Sequence, residues 1–138
     1  MELKFYLDTS IWMDLYEDRK GFNNEPLGDY AWDLVSYIKT IGGKIIVSVF
    51  LLKELERYYP LDEIRGMTFL FEGLMIKAEV SDAQIKEAKS LSKERNVPFG
   101  DAIHAVVARD NNAIIVSRDR HFMLLADICN VIPPEKII

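Results

Sequence analysis

Hydrophobic positions along the chain switch repeatedly between short continuous runs and stripes with a 3.6-residue period. Leu3-Lys4-Phe5-Tyr6-Leu7, Lys44 to Val49 and Ala113 to Val116 are short and rich in β-branched or aromatic residues, the pattern of buried strands. Leu74-Met75-Ile76 is a shorter apolar run, and Val131-Ile132 before Pro133-Pro134 reads as a last strand. Between them lie helical stripes. Ile11, Trp12, Leu15 and Tyr16 follow the hydroxyls of Thr9-Ser10, and Asp14, Glu17 and Asp18 read as that helix's solvated face. Trp32, Leu34, Val35, Ile38 and Ile41 form a second stripe, with Asp29 as its expected cap and Gly42-Gly43 as its end. Phe50, Leu51, Leu55 and Tyr58 run up to Pro60, and Ile64, Met67, Phe69 and Leu70 resume beyond it. Ile85, Ala88 and Leu91 sit behind a Ser81-Asp82 cap. Pro98-Phe99-Gly100-Asp101 then opens a helix that Asn111-Asn112 end. Strands alternating with helices predict right-handed βαβ units and a three-layer α/β/α sandwich around a mainly parallel sheet.

With 138 residues, 49% hydrophobic and 28% charged, the chain is expected to fold as a single domain over residues 1–138. A net charge of −5 argues against a protein that coats nucleic acid, while leaving room for a local cationic patch. Cys129 is the one cysteine, so no internal disulfide forms, and its apolar neighbours make it a small buried hydrophobe in a reducing cytoplasm. The N-terminal apolar run is interrupted by Lys4 and closed by Asp8, too short for a signal peptide or membrane span.

The acids change this picture. Asp8, Glu54 and Asp119 each follow an apolar run, and Asp101 stands at the start of a helix. If the runs are neighbouring parallel strands, their carboxyl ends open onto one crevice, where open α/β sheets bind ligands. Four carboxylates meeting there repel one another and must take up protons or a cation, and hard oxygen ligands suit Mg²⁺ or Mn²⁺. Other chemistries lack their residues. No GxGxxG or P-loop sequence follows the first strand. Ser10, Ser48 and Ser117 have no G-x-S-x-G elbow, and two histidines with one cysteine match no zinc spacing.

Asp8-Thr9-Ser10, Glu54 within Ser48-Val49-Phe50-Leu51-Leu52-Lys53-Glu54-Leu55, Asp101-Ala102-Ile103-His104-Ala105, and Ser117-Arg118-Asp119-Arg120-His121-Phe122 together resemble the PIN domain, in order and over nearly the whole chain. The family is a Mg²⁺/Mn²⁺-dependent nuclease fold that includes VapC-type toxins of prokaryotic toxin–antitoxin pairs. The resemblance implies that Asp8, Glu54, Asp101 and Asp119 are the catalytic and metal-holding acids, with Ser10 and Ser117 supporting them through hydrogen bonds. Many members carry asparagine at the position of Ser10 and threonine at that of Ser117. It further implies an endoribonuclease acting on RNA, an antitoxin partner and a homodimer.

Cations for an anionic substrate are expected from Arg118 and Arg120, which flank Asp119, and from Arg57, nearly one turn beyond Glu54. His121 and Phe122 read as packing or loop-anchoring residues and His104 as a structural histidine. Two other readings stand beside the toxin: a PIN-domain ribonuclease of ribosomal RNA maturation or RNA decay, and a non-catalytic binding or scaffold module that keeps its acids for fold specificity.

Overall fold

The computed structural model describes residues 2–137. Strands β1 (Lys4–Leu7), β2 (Lys44–Ser48), β3 (Met75–Ala78), β4 (Ala113–Val116) and β5 (Val131–Ile132) form one all-parallel sheet in the order β3-β2-β1-β4-β5. Helices α1 (Thr9–Glu17) and α2 (Leu27–Thr40) join β1 to β2; α3 (Val49–Leu55) and α4 (Leu61–Phe69) join β2 to β3; α5 (Asp82–Arg95) and α6 (Phe99–Asp110) join β3 to β4. A 3₁₀ segment over Arg120–Leu125 leads toward β5.

Successive strand side chains point to opposite faces of the sheet, and this alternation sorts the core into two layers. Phe5 and Leu7 of β1, with Ile45 and Val47 of β2, pack with residues of α1, α2, α3 and α4. Tyr6, Ile46 and Ile115 point the other way, into α5 and α6. Both faces are covered, as parallel sheets require, giving the expected α/β/α sandwich. Cys129 is buried in the second layer, as expected of a small hydrophobe.

Local chemistry sets most boundaries. Ser81 and Gln84 form a reciprocal capping box at the start of α5, and Pro60 stands immediately before α4. Gly42 follows the end of α2 with φ at 68°, a left-handed conformation that costs glycine nothing. Two boundaries differ from expectation. Helix α2 starts at Leu27 directly after Pro26, so Asp29 lies in its first turn instead of capping it. The run at Leu74 to Ile76 is split: Leu74 closes a 3₁₀ turn over Glu72–Leu74, while Met75 and Ile76 open the edge strand β3, which continues through Lys77 to Ala78. Asp14 departs furthest: it is buried on α1, facing Arg19 and Arg118, instead of lying on a solvated face.

The strand order places the site. From β1 the chain works outward through β2 to β3, then returns to β4 on the other side of β1. Connections leaving β1 and β4 therefore diverge, and a crevice opens at their carboxyl ends. Leu7 and Val116 are register partners at those ends, and the Asp8 amide donates to the Val116 carbonyl at 3.0 Å.

Candidate active site

Asp8 is the residue at which β1 becomes α1. Its backbone is extended, and its carboxylate caps the helix by accepting from the Thr9 amide at 2.8 Å. Ser10 and Ser117 donate their hydroxyls to the other carboxylate oxygen, at 3.2 and 2.9 Å. Burial pushes the Asp8 carboxyl above its ordinary range, and these hydrogen bonds pull against it.

Ser117 follows β4 and is buried with both sides of its hydroxyl engaged. While its hydrogen goes to Asp8, its oxygen accepts from the Asp119 amide at 3.0 Å, so one side chain spaces two acids. Asp119 then caps the 3₁₀ segment, accepting from the His121 amide at 2.9 Å.

Asp101 enters from the first turn of α6. Its Oδ2 is buried without a hydrogen-bond partner among the described residues, and His121 Nδ1 stands 3.3 Å from it and 3.0 Å from Asp119 Oδ1. Burial, with repulsion from Asp119 and Asp8, raises Asp101 to about 7, far above its ordinary range. Ligating atoms of Asp101, Asp119 and His121 lie within 4.8 Å of one another, close enough to share one cation.

Glu54 lies in the second turn of α3, a helix capped by Ser48. Thr9 donates its hydroxyl to one carboxylate oxygen at 2.5 Å, and His104 Nε2 lies 2.9 Å from the other. Burial works against the charge of Glu54, but the His104 and Thr9 hydrogen bonds outweigh it and hold the carboxyl below its ordinary range. Asp101 and Glu54 are thus pushed in opposite directions within one site.

Asp8, Glu54, Asp101 and Asp119 open onto a single cleft of about 440 Å³, walled also by Ser10, Arg19 and Arg57. All four acids singled out in the sequence meet there, and both serines lie beside Asp8. The arginines divide. Arg57 is in the cleft wall, whereas Arg118 and Arg120 line a separate groove beside Lys136. Arg118 is drawn away by opposite charge: it pairs with buried Asp14 at 3.0 Å and with Glu135 at 2.9 Å. Arg19 supplies the cleft with a cation that the sequence did not single out. His121, read as an anchor, faces two carboxylates, and the hint was its place two residues after Asp119. His104 fits its structural reading, with Glu54 as its unforeseen partner.

A family model described as "PIN domain" matches residues 5–128. No curated protein sequence matches the chain. Among solved structures, VapBC2 from Rickettsia felis, bound to a DNA fragment from its promoter, superposes with a TM-score of 0.70 at 14% identity, covering 95% of this chain and 98% of that one. A toxin–antitoxin complex from Klebsiella pneumoniae gives 0.66 at 18% identity over 94% and 96%. FitAcB from Neisseria gonorrhoeae gives 0.64 at 16% identity over 95% and 98%. These similarities establish a shared fold along almost the full length of each chain.

Proposed function

The chain belongs to the PIN domain family, and from that premise we propose that it is a Mg²⁺- or Mn²⁺-dependent endoribonuclease, the toxin of a toxin–antitoxin pair. The observation that carries this reading is the convergence of Asp8, Glu54, Asp101 and Asp119 on one cleft. Within it Asp101 Oδ2 is a buried acceptor with no hydrogen-bond partner among the described residues, and burial, together with repulsion from its acidic neighbours, raises the Asp101 carboxyl to about 7. A donor set of hard oxygens with that deficit fits a divalent cation.

Asp8, Glu54, Asp101 and Asp119 would hold the ion, with His121 at its margin. Bound Mg²⁺ or Mn²⁺ supplies an activated water and offsets the charge that grows on the phosphate oxygens during hydrolysis. The chain's own groups prepare for this. Ser10, Ser117 and the Thr9 amide give Asp8 three donors that fix its oxygens. Ser117 sets the spacing between Asp8 and Asp119, and Arg57 and Arg19 offer positive charge at the cleft wall to a phosphodiester backbone.

Two of the similar structures are VapBC2 and a toxin–antitoxin complex, which supports an antitoxin as the partner here. The RNA substrate and a homodimer follow from the family resemblance, and a reducing cytoplasmic setting from the lone Cys129. No helix among the described residues is long and apolar enough to cross a membrane.

The test is cleavage of end-labelled single-stranded and structured RNA by the purified protein, with Mn²⁺, Mg²⁺ or EDTA, beside Asp8→Asn and Asp101→Asn. Metal-dependent cutting lost in both variants is expected. Cutting that survives EDTA or either substitution would overturn the metal mechanism, and cellular function that is indifferent to both substitutions would favour a scaffold. Recovery of a small bound protein from the native host would separate a toxin from a housekeeping ribonuclease.

A further inference from the structure

Behind Glu54 a line of side chains runs from the cleft into the core. Tyr6 of β1 lies with its hydroxyl 2.6 Å from Ser48 Oγ and 2.6 Å from His104 Nδ1, and His104 Nε2 reaches Glu54 Oε1 at 2.9 Å. Tyr6, Ser48 and His104 are all buried, at 0, 0 and 1% exposure, while Glu54 is the member that meets the cleft. Four side chains from β1, the end of β2, α6 and α3 therefore share one hydrogen-bonded path.

The donors can be counted. Ser48 Oγ already accepts from the Leu51 amide at 3.2 Å, so its own hydrogen is free for the Tyr6 oxygen. With the Ser48 hydrogen aimed at its oxygen, the Tyr6 hydroxyl turns its own hydrogen to its other neighbour, His104 Nδ1. That leaves the neutral imidazole with its hydrogen on Nε2, facing a Glu54 oxygen. The opposite direction leaves the Ser48 hydrogen without an acceptor among the described residues and sets a bare Nε2 against a carboxylate unless the ring is charged. The fixed direction is Ser48 to Tyr6 to His104 to Glu54.

We infer that Tyr6 and His104 are positioning residues: Tyr6 selects the Nε2–H tautomer of His104, and His104 with Thr9 locks the Glu54 carboxylate toward the cleft. This rests on the metal-dependent reading of that cleft. Thr9 holds Oε2 and His104 holds Oε1, so neither oxygen can swing without breaking a bond. The arrangement orders a carboxylate before an ion arrives, as outer partners do when they fix the tautomer and orientation of a metal-site group.

The experiment is ¹⁵N NMR of the histidine ring nitrogens in the metal-free protein, joined to Mn²⁺ binding by calorimetry without RNA. Wild-type His104 is expected as a single Nε2–H tautomer. Tyr6→Phe, which removes only the hydroxyl, is expected to blur that signature and weaken Mn²⁺ binding by about 10-fold. His104→Leu is expected to weaken binding at least as far, and His104→Gln, which keeps an N–H near Glu54, to recover part of it. An Nδ1–H tautomer in the wild type overturns the inference, as does Mn²⁺ affinity unchanged in Tyr6→Phe and His104→Leu. Neither readout uses RNA. A protein that shows the tautomer and the Mn²⁺ losses but never cuts RNA upholds the positioning inference and sinks the ribonuclease reading.

Discussion

Glu54 Oε1 occupies the space that a side chain on Gly100 would fill: a Cβ there would lie 2.5 Å from that oxygen. Gly100 is the second residue of α6, immediately before Asp101, so two acids of the cleft are set against each other by a missing methyl group. Gly100→Ala is expected to displace the Glu54 carboxylate and break its contact with His104. The buried His104 N–H left without Glu54 costs about 1–3 kcal/mol, which alanine's helix preference, up to about 1 kcal/mol, offsets only in part. Mn²⁺ affinity and RNA cleavage should both fall by about 10-fold. Urea unfolding compared with calorimetry checks both losses; a variant that loses stability but keeps full Mn²⁺ affinity would sink the expectation.

Asp101 makes the metal-free protein sensitive to pH. In the fold it holds its proton up to about pH 7, whereas the unfolded chain releases it near its ordinary value of 3.8. Between those values the native state binds more protons, so stability falls as pH rises through the window and the loss is complete above it. Its size is about 1–2 kcal/mol, allowing for solvent screening at the cleft mouth. Mn²⁺ should reverse the trend, because a cation favours the ionised carboxylate. Melting curves at pH 5 and pH 8 with and without Mn²⁺ test this, and Asp101→Asn should flatten both effects.

Ser117 carries two bonds on one oxygen, to Asp8 and from the Asp119 amide. Ser117→Ala leaves the half-buried Asp119 amide and an Asp8 carboxylate oxygen each short of a partner, which costs about 1–3 kcal/mol. Ser117→Thr keeps the hydroxyl and should retain most of the cleavage that alanine loses. Denaturant midpoints and RNA cleavage rates for the two variants decide it; equal activity of both would mean that the spacing of Asp8 and Asp119 does not depend on this hydroxyl.

The sheet and its flanking helices were legible because burial on both faces leaves continuous apolar runs, and packing on one face leaves 3.6-residue stripes. The four acids were legible because a parallel sheet collects strand ends on one side. The edge strand β3 was harder, since only Ala78 of its four residues is buried and Lys77 faces solvent. Asp14 misled because its neighbours Glu17 and Asp18 are exposed, while its partner Arg118 lies 104 residues away in sequence. The same distance problem hid the Tyr6–His104–Glu54 path, whose links span 98 and 50 residues. Local pattern speaks for elements; pairing across the fold is decided by topology.

The arginines provide the sharpest separation of structure from substrate. Arg118 binds buried Asp14 from the loop after β4 and Glu135 near the C-terminus, tying α1 to two distant segments. Arg118→Ala strips Asp14 of one of its two cations and leaves it Arg19 at 3.3 Å, so the loss is that of one charged hydrogen bond, about 1.5–3 kcal/mol. Arg57 lines the cleft beside Glu54 and should matter only to the bound polyanion. Arg57→Ala is expected to leave the unfolding midpoint within about 0.5 kcal/mol of wild type, to weaken RNA binding several-fold and to flatten its dependence on salt. Arg118→Ala should do the reverse, losing stability while the RNA affinity of the folded fraction is kept. Fluorescence anisotropy with labelled RNA across a salt series, run beside urea unfolding of both variants, measures each half. If Arg118→Ala proved stable and lost the salt dependence instead, the guanidinium would have left Asp14 for the phosphate backbone, and the original sequence expectation for Arg118 would stand.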